Sequence, residues 1–246
     1  MLSRWLVPNV QPCTRPFQGK PINLYLLQPP DIRINHSCAP CAVWTSVDGQ
    51  PMAKEVRAVR EVQEGQEITA NYIDSFEATF SPSSDRQSSL RRWNFDCSCE
   101  VCGLPKVDRE RNDAKRKAVM LQHQLVPRYM AAWKVDLALA AARAKVNLMM
   151  ELREEMETTL PSALLEVWEM ARIGEEVGLH VTEDCPALLE EALTLATRLG
   201  HGYVQTHREK VEMVAATLKD LIRRRRAETK NVYNNCFHTE QNLNQW

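Results

Sequence analysis

The stretch "RINHSCAPCAVW", Arg33 to Trp44, sets an asparagine, a histidine, a serine and two cysteines around one proline. That chemistry is costly in a linker. Four readings are open for it. It can be part of a metal site, a nucleophile with its base, a cofactor pocket, or a turn with two buried thiols.

The chain around this stretch reads as β-rich. "AVWTSV" (42–47), "MAKEVRAVR" (52–60) and "EITANY" (67–72) are short runs bounded by turn residues, and Asp48-Gly49 between the first two is a hairpin signal. In "KEVRAVREV", Val56, Val59 and Val62 do not alternate cleanly, which predicts a bulge or a strand end. Beyond a Ser/Pro loop, Ser84 or Asp85 offers an N-cap for a short helix carrying Leu90 and Trp93.

"CSCEVC" then places Cys97, Cys99 and Cys102 within six residues. Thiolates this close can converge on one ion, and a structural zinc wants four ligands in a tetrahedron. One ligand is therefore missing locally. Cys38, Cys41, His36, Cys13, Cys185 and Cys236 are all candidates by residue type, and spacing alone does not choose among them. The bland alternative is a set of small buried hydrophobes without metal.

Three ordered motifs, "RINHSCAP", "EGQEITANY" and "FDCSCEVCGLP", resemble the C-terminal half of a SET domain followed by a post-SET motif. SET proteins are protein-lysine methyltransferases that use S-adenosylmethionine. The resemblance is closest to members with a split catalytic domain and a helical C-terminal region, fungal-type members especially. It implies that Asn35 and His36 hold the cofactor's methionine and adenine portions. It further implies that Tyr72 stands at the methyl-transfer channel and that Phe95 stacks on the adenine ring. Cys38 becomes the fourth zinc ligand beside Cys97, Cys99 and Cys102. A lysine-bearing protein, histone or non-histone, is the implied substrate. The chemistry is an in-line displacement at a sulfonium methyl, which needs alignment and a suitable pocket rather than an enzyme nucleophile. This argues against Cys38 or Cys41 as a catalytic thiol. Without the flanking motifs, Tyr72 would read as a strand-end tyrosine, Phe95 as core and His36 as a structural histidine.

Two departures from the family pattern stand out. Cys41 follows Pro40 where the family usually has asparagine, so an amide brace is lost there or a small apolar gap is filled. The N-terminal half of the SET domain, with its glycine loop around the cofactor, is not visible, and Gly19 is the only glycine before Gly49. The segment before residue 31 reads as unrelated sequence. A second reading follows from this: an inactive, zinc-stabilised SET remnant presenting a helical interaction scaffold.

From residue 106 the pattern turns helical. Pro127 fits the first turn of a long helix whose seam runs Val135, Leu139, Ala142, Val146 and Met149. Further helices are expected from Pro161-Ser162, with Leu164, Leu165, Trp168 and Ala171 on one face, and after Asp184, ending at Gly200. "ALLEVWEMARIG" and "ALLEEALTLATRLG" hint at tetratricopeptide-like pairs. The basic stretch 109–117 reads as a solvated helix face, and Arg223–Arg226 as cations at a helix C-terminus.

The expected fold is α+β. It comprises an irregular lead over 1–30 with six prolines, a partial SET domain with post-SET zinc motif over 31–105, a helical array over 106–226 and a polar tail over 227–246. A net charge of −1 argues against direct nucleic-acid binding, and no run reaches the ~18 apolar residues of a membrane span. Eight cysteines without a secretory signal point to thiols or metal ligands in an intracellular protein, nuclear or cytoplasmic.

Overall fold

A computed structural model describes residues 11–17, 20–26, 33–47, 50–73, 75–152, 158–200, 203–216 and Arg223. The fold is α+β, with short strand pairs followed by a helical array. The expected polar tail, and Arg224–Arg226 before it, lie outside the described residues.

Strand β1 (Gln11–Phe17) runs antiparallel to β2 (Lys20–Leu26), with Pro16 facing Pro21. This corrects the expectation of an irregular lead over 1–30. In a two-stranded ribbon every strand has an open edge, and an edge tolerates residues that cannot donate to a ladder.

Strand β3 (Asn35–His36) pairs in parallel with β6 (Thr69–Ala70), Asn35 opposite Thr69 and His36 opposite Ala70. Ser37 N–H extends the ladder to Ala70 O at 3.1 Å. The strand expected over 67–72 is therefore only two residues long. Its partner supplies no more, and Asn71 then turns the chain: its side-chain oxygen accepts from Ile73 N at 2.9 Å. Between these strands, β4 (Ala42–Val47) and β5 (Gln50–Ala58) form the expected antiparallel pair. The strand end predicted among Val56, Val59 and Val62 falls at Ala58. The register shift lies on the partner strand, between Ser46 and Val47.

Helix α1 (Phe76–Thr79) is capped by Ser75, whose hydroxyl accepts from Ala78 N. Helix α2 (Ser83–Leu90) runs on into a 3-10 turn, Arg91–Trp93. Neither Ser84 nor Asp85 is its N-cap, as expected from sequence; Pro82 is, without a side-chain bond. The cap comes from another helix. Asp113 accepts from Ser83 N at 2.9 Å and from Ser83 Oγ at 2.7 Å. An acceptor from distant sequence has no local signature.

Helix α3 (Lys106–Ala131) contains Pro127 in its interior rather than in its first turn. The helix begins directly after Pro105, so the whole basic stretch is already helical when Pro127 is reached. The N–H lost there leaves the carbonyl four residues earlier without its helical donor, a loss confined to the last turns of the helix. Helices α4 (Val135–Glu151), α5 (Leu160–Glu176) and α6 (Cys185–Leu199) follow, and residues 203–216 form α7. Each of α3 to α6 packs against its neighbour in sequence. Asp184 caps α6 through Ala187 N at 3.0 Å, as its sequence predicts.

The expected seam is the core. Val135, Leu139, Ala142 and Met149 are buried with Leu164, Leu165, Trp168 and Ala171, and Val146 packs at the margin. Each fully buried large apolar side chain stabilises the fold by about 1.5–3 kcal/mol. The array returns to the sheet at Gly200, whose backbone lies against Thr45 of β4.

The basic stretch 109–117 is a solvated face only in part: Glu110, Arg111 and Lys117 are exposed, whereas two of its arginines turn toward the protein. Arg116 is fully buried and donates to Thr79 O at 2.6 Å, and Arg109 donates to Cys102 O at 3.3 Å. The apolar pattern of α3 gives way to charge in its first half, where Arg109 and Arg116 meet backbone carbonyls, and resumes with Val119 and Val126 in the core.

Candidate functional site

The parallel pairing of β3 with β6 decides the site. It lays the histidine of "NHSC" beside the tyrosine that closes "EITANY", and Tyr72 N donates to His36 Nδ1 at 3.0 Å. That bond fixes Nδ1 as an acceptor. Burial lowers the His36 pKa to about 4; the Cys99 thiolate opposes this and Arg86 adds to it. His36 is therefore neutral near pH 7.

Tyr72 stands at the middle of an aromatic group. His36 lies 5.5 Å from it between ring centroids, Trp93 5.2 Å, Trp44 5.9 Å and Phe95 6.3 Å. Asn94, in the left-handed conformation at φ 62°, turns the chain so that Phe95 follows Trp93 into the group. The Tyr72 hydroxyl donates to Ile34 O in a short hydrogen bond. Burial, and then the Glu67 carboxylate, raise its pKa, so the phenol keeps its proton. With that proton committed, the hydroxyl oxygen retains lone pairs for an amine N–H. The indole N–H groups of Trp44 and Trp93 are buried and have no hydrogen-bond partner among the described residues.

Of the residues singled out from sequence, His36, Tyr72 and Phe95 share this group. Asn35 does not enter it: it is exposed, and its amide donates to the Glu67 carboxylate. The sequence does not single out Trp44, Trp93 or the Ile34 carbonyl for the site, although Trp44 closes the opening stretch and Trp93 lies on the expected short helix. A backbone oxygen carries no residue signal at all.

Cys41 is fully buried, and its sulfur touches β6. It accepts from Thr69 N at 3.3 Å and approaches Glu67 O at 3.6 Å. The brace expected to be lost is thus kept in weaker form, because a thiol is both donor and acceptor.

Next to the aromatic group, the Sγ atoms of Cys38, Cys97, Cys99 and Cys102 all lie within 4.8 Å of one another. Cys38 Sγ is 3.6 Å from Cys102 Sγ, across 64 residues of chain. A tetrahedral site with Zn–S near 2.3 Å has edges of about 3.8 Å, so the donor set fits such an ion. Crowding splits the acidities of the bare thiols. Hydrogen bonds with Cys102, Cys38 and Cys97 pull Cys99 well below its ordinary value, while those with Cys102, Cys97 and Cys99 push Cys38 up. A cation would favour all four thiolates.

The cluster is held from several sides. Gln87 of α2 clamps the Cys97 backbone at both ends, donating to its carbonyl at 2.6 Å and accepting from its N–H at 2.8 Å. Arg60 bridges Ala39 O and Glu100, and Ser37 reaches the same carboxylate. His36 Nε2 lies 3.4 Å from Cys38 Sγ, so aromatic group and thiol cluster share a wall.

Residues 20–73 match the family model described as the SET domain. The match begins eleven residues before the expected boundary at residue 31, so β2 belongs to it and the lead is not wholly unrelated sequence. The chain is similar to N-lysine methyltransferase SMYD2 of Gallus gallus, 31% identical over 144 residues, covering 58% of this chain and 29% of that protein. It is also similar to N-lysine methyltransferase SMYD2-B of Danio rerio, 29% identical over 151 residues, covering 61% and 30%. For N-lysine methyltransferase SMYD2 of Homo sapiens the identity is 28% over 145 residues, covering 58% and 29%. The chain thus spans under a third of the length of these curated relatives. No helix among the described residues is long and apolar enough to cross a membrane.

Proposed function

We propose that this SET-domain chain, kin to the protein-lysine methyltransferases, transfers a methyl group to the side-chain amine of a protein lysine. The observation that carries the reading is the convergence of His36, Tyr72 and Phe95 on one buried group beside four clustered thiols, within and just after the segment that matches the SET domain.

S-adenosylmethionine, when bound, supplies an electrophilic methyl on its sulfonium. Asn35, His36 and Phe95 would hold it: Phe95 through its ring face, and His36 as a neutral ring that adds no charge beside a cationic ligand. Tyr72 positions the incoming amine. Its proton is spent on Ile34 O, so its oxygen accepts from the amine and aims the nitrogen lone pair. The aromatic walls exclude water, which lowers the pKa of the lysine and favours the neutral nucleophile. Zinc on Cys38, Cys97, Cys99 and Cys102 would be structural, since four protein ligands leave no open position. It would fix Phe95 and His36, each next to a ligand in the chain or in space. In this reading the SET-derived unit extends to residue 105 and the helical array over 106–226 borders the protein substrate, inside the cell.

Calorimetry with S-adenosylmethionine on zinc-loaded protein tests the reading, together with Tyr72→Phe. Removing one positioning hydrogen bond lowers methyl transfer about tenfold and leaves cofactor affinity near that of the parent chain. Absence of cofactor binding by folded, zinc-loaded protein refutes the enzyme. Equal loss of binding and transfer refutes the role of Tyr72. One observation favours the alternative of an inactive scaffold: Tyr72 is 8% exposed, with four aromatic rings around it, so the channel is filled by the protein's own side chains. In that case the zinc is retained and S-adenosylmethionine does not bind.

A further inference from the structure

Arg86 of α2 is a fully buried cation in the wall of the thiol cluster. Its Nη2 lies 3.9 Å from Cys102 Sγ, and its Nη1 donates to Ser81 O at 2.6 Å and to Asp113 Oδ1 at 3.3 Å. Its Nε is buried and has no hydrogen-bond partner among the described residues. A guanidinium in such a place is costly unless it faces opposite charge. Asp113 meets that demand only in part, because the same carboxylate also accepts both the N–H and the hydroxyl of Ser83. Among the described residues, the thiol cluster beside it can supply the remaining negative charge. A divalent ion with four thiolates carries a net charge of about −2, by the ligand chemistry of such sites.

Asp113 belongs to α3, and α3 grips the cluster at two further points. Arg116 donates to Cys38 O at 3.5 Å, and Arg109 donates to Cys102 O at 3.3 Å. Both the distant ligand and the last loop ligand are thus tied by their own backbone to the first helix of the array.

We propose that Arg86 is the counter-charge of the metal site, and that the chain Cys102–Arg86–Asp113 makes metal loading and the docking of α3 one coupled event. Arg86 is a positioning residue here and ligates nothing. The proposal rests on the reading of the four cysteines as a metal site. Coupling is reciprocal: if docking of α3 strengthens metal binding, the metal strengthens docking by the same factor.

Two measurements on the full chain test it. The first is zinc competition against a chromophoric chelator. Arg86→Met and Asp113→Asn weaken zinc by about tenfold or more, the usual effect of losing an outer-shell partner, and Arg86→Lys restores part of the loss. The second is hydrogen exchange of the parent chain, loaded and chelator-stripped. Amides over residues 106–120 exchange about tenfold faster after stripping, as the same coupling requires. If Arg86→Met fails to fold, Asp113→Asn and the stripped parent chain still decide. Parent-like zinc affinity in the variants, or exchange in α3 indifferent to stripping, overturns the coupling while leaving the metal site intact. A parent chain that binds no zinc overturns both.

Discussion

Gly200→Ala tests whether the helical array closes on the sheet as the structure places it. Gly200 follows α6 at φ +110°, a region closed to side-chain-bearing residues, and a Cβ built on it would lie 2.6 Å from Thr45 Cγ2 and 2.8 Å from Thr45 Oγ1. Two costs add. Forcing alanine into that backbone region costs about 1–3 kcal/mol. Overpacking against β4 costs about 1–3 kcal/mol more. The control is Gly65→Ala: at φ +82° with nothing within 4 Å of its Cβ, it carries backbone strain alone, about 1–2 kcal/mol. Thr45→Ala removes both close atoms and leaves only a Cβ contact at 3.1 Å. The double variant therefore recovers most of the overpacking share, seen as a coupling energy of about 1–3 kcal/mol in a double-mutant cycle. Urea unfolding, followed in parallel by circular dichroism and tryptophan fluorescence, reads all four proteins and tests whether sheet and array unfold together. Gly200→Ala no more costly than Gly65→Ala, with additive Thr45→Ala, would refute the contact between α6 and β4.

Lys145 of α4 is buried and paired with Glu166 of α5; burial lowers its pKa, and the carboxylate opposes that shift. Glu166→Gln leaves an ammonium in the core and costs about 3 kcal/mol, whereas the double change Lys145→Met with Glu166→Leu recovers most of it; a Glu166→Gln protein as stable as its parent by denaturant unfolding would show that the pair is solvated. Hydrogen bonding from Arg143 holds the Glu183 carboxyl below the ordinary glutamate range. Its folded pKa lies below its unfolded one, so its contribution is intact above the ordinary range and fades as pH falls through the depressed value. An acid titration of stability should fall more steeply for the parent chain than for Glu183→Gln below about pH 5, and parallel curves would dismiss the pair.

Much of this architecture can be read from residue order, for physical reasons that particular positions display. The seam from Val135 to Met149 announces α4 because helix burial imposes a period on apolar residues. Asp184 and Gly200 announce the ends of α6 because each answers a local backbone need. Three loop cysteines ask for a fourth donor by coordination number; the family resemblance points to Cys38, and the fold brings its sulfur beside theirs. What stays hidden is whatever depends on a partner far along the chain. Arg86 and Arg116 look like surface cations, and only the fold reveals the carbonyls and sulfur they face. Asp113 caps a helix thirty residues earlier, which no local pattern encodes. The brevity of β6 is set by β3, and the aromatic group around Tyr72 is assembled from four separate segments.

The four thiols are unequal in sequence. Cys97, Cys99 and Cys102 share one loop, whereas Cys38 arrives from 64 residues before Cys102. An unfolded chain already presents the three loop thiols as a chelate. An ion held there before folding gives the native state no advantage, because only the difference in affinity between folded and unfolded chains shifts the balance. Cys38 contributes part of that difference, beside the counter-charge proposed for Arg86. Against it stands the entropy of closing the long loop, about 3.7 kcal/mol from its logarithmic dependence on length. Cys38 lies two residues beyond β3, so a metal held by all four thiols would also hold β3 alongside β6 and His36 opposite Tyr72.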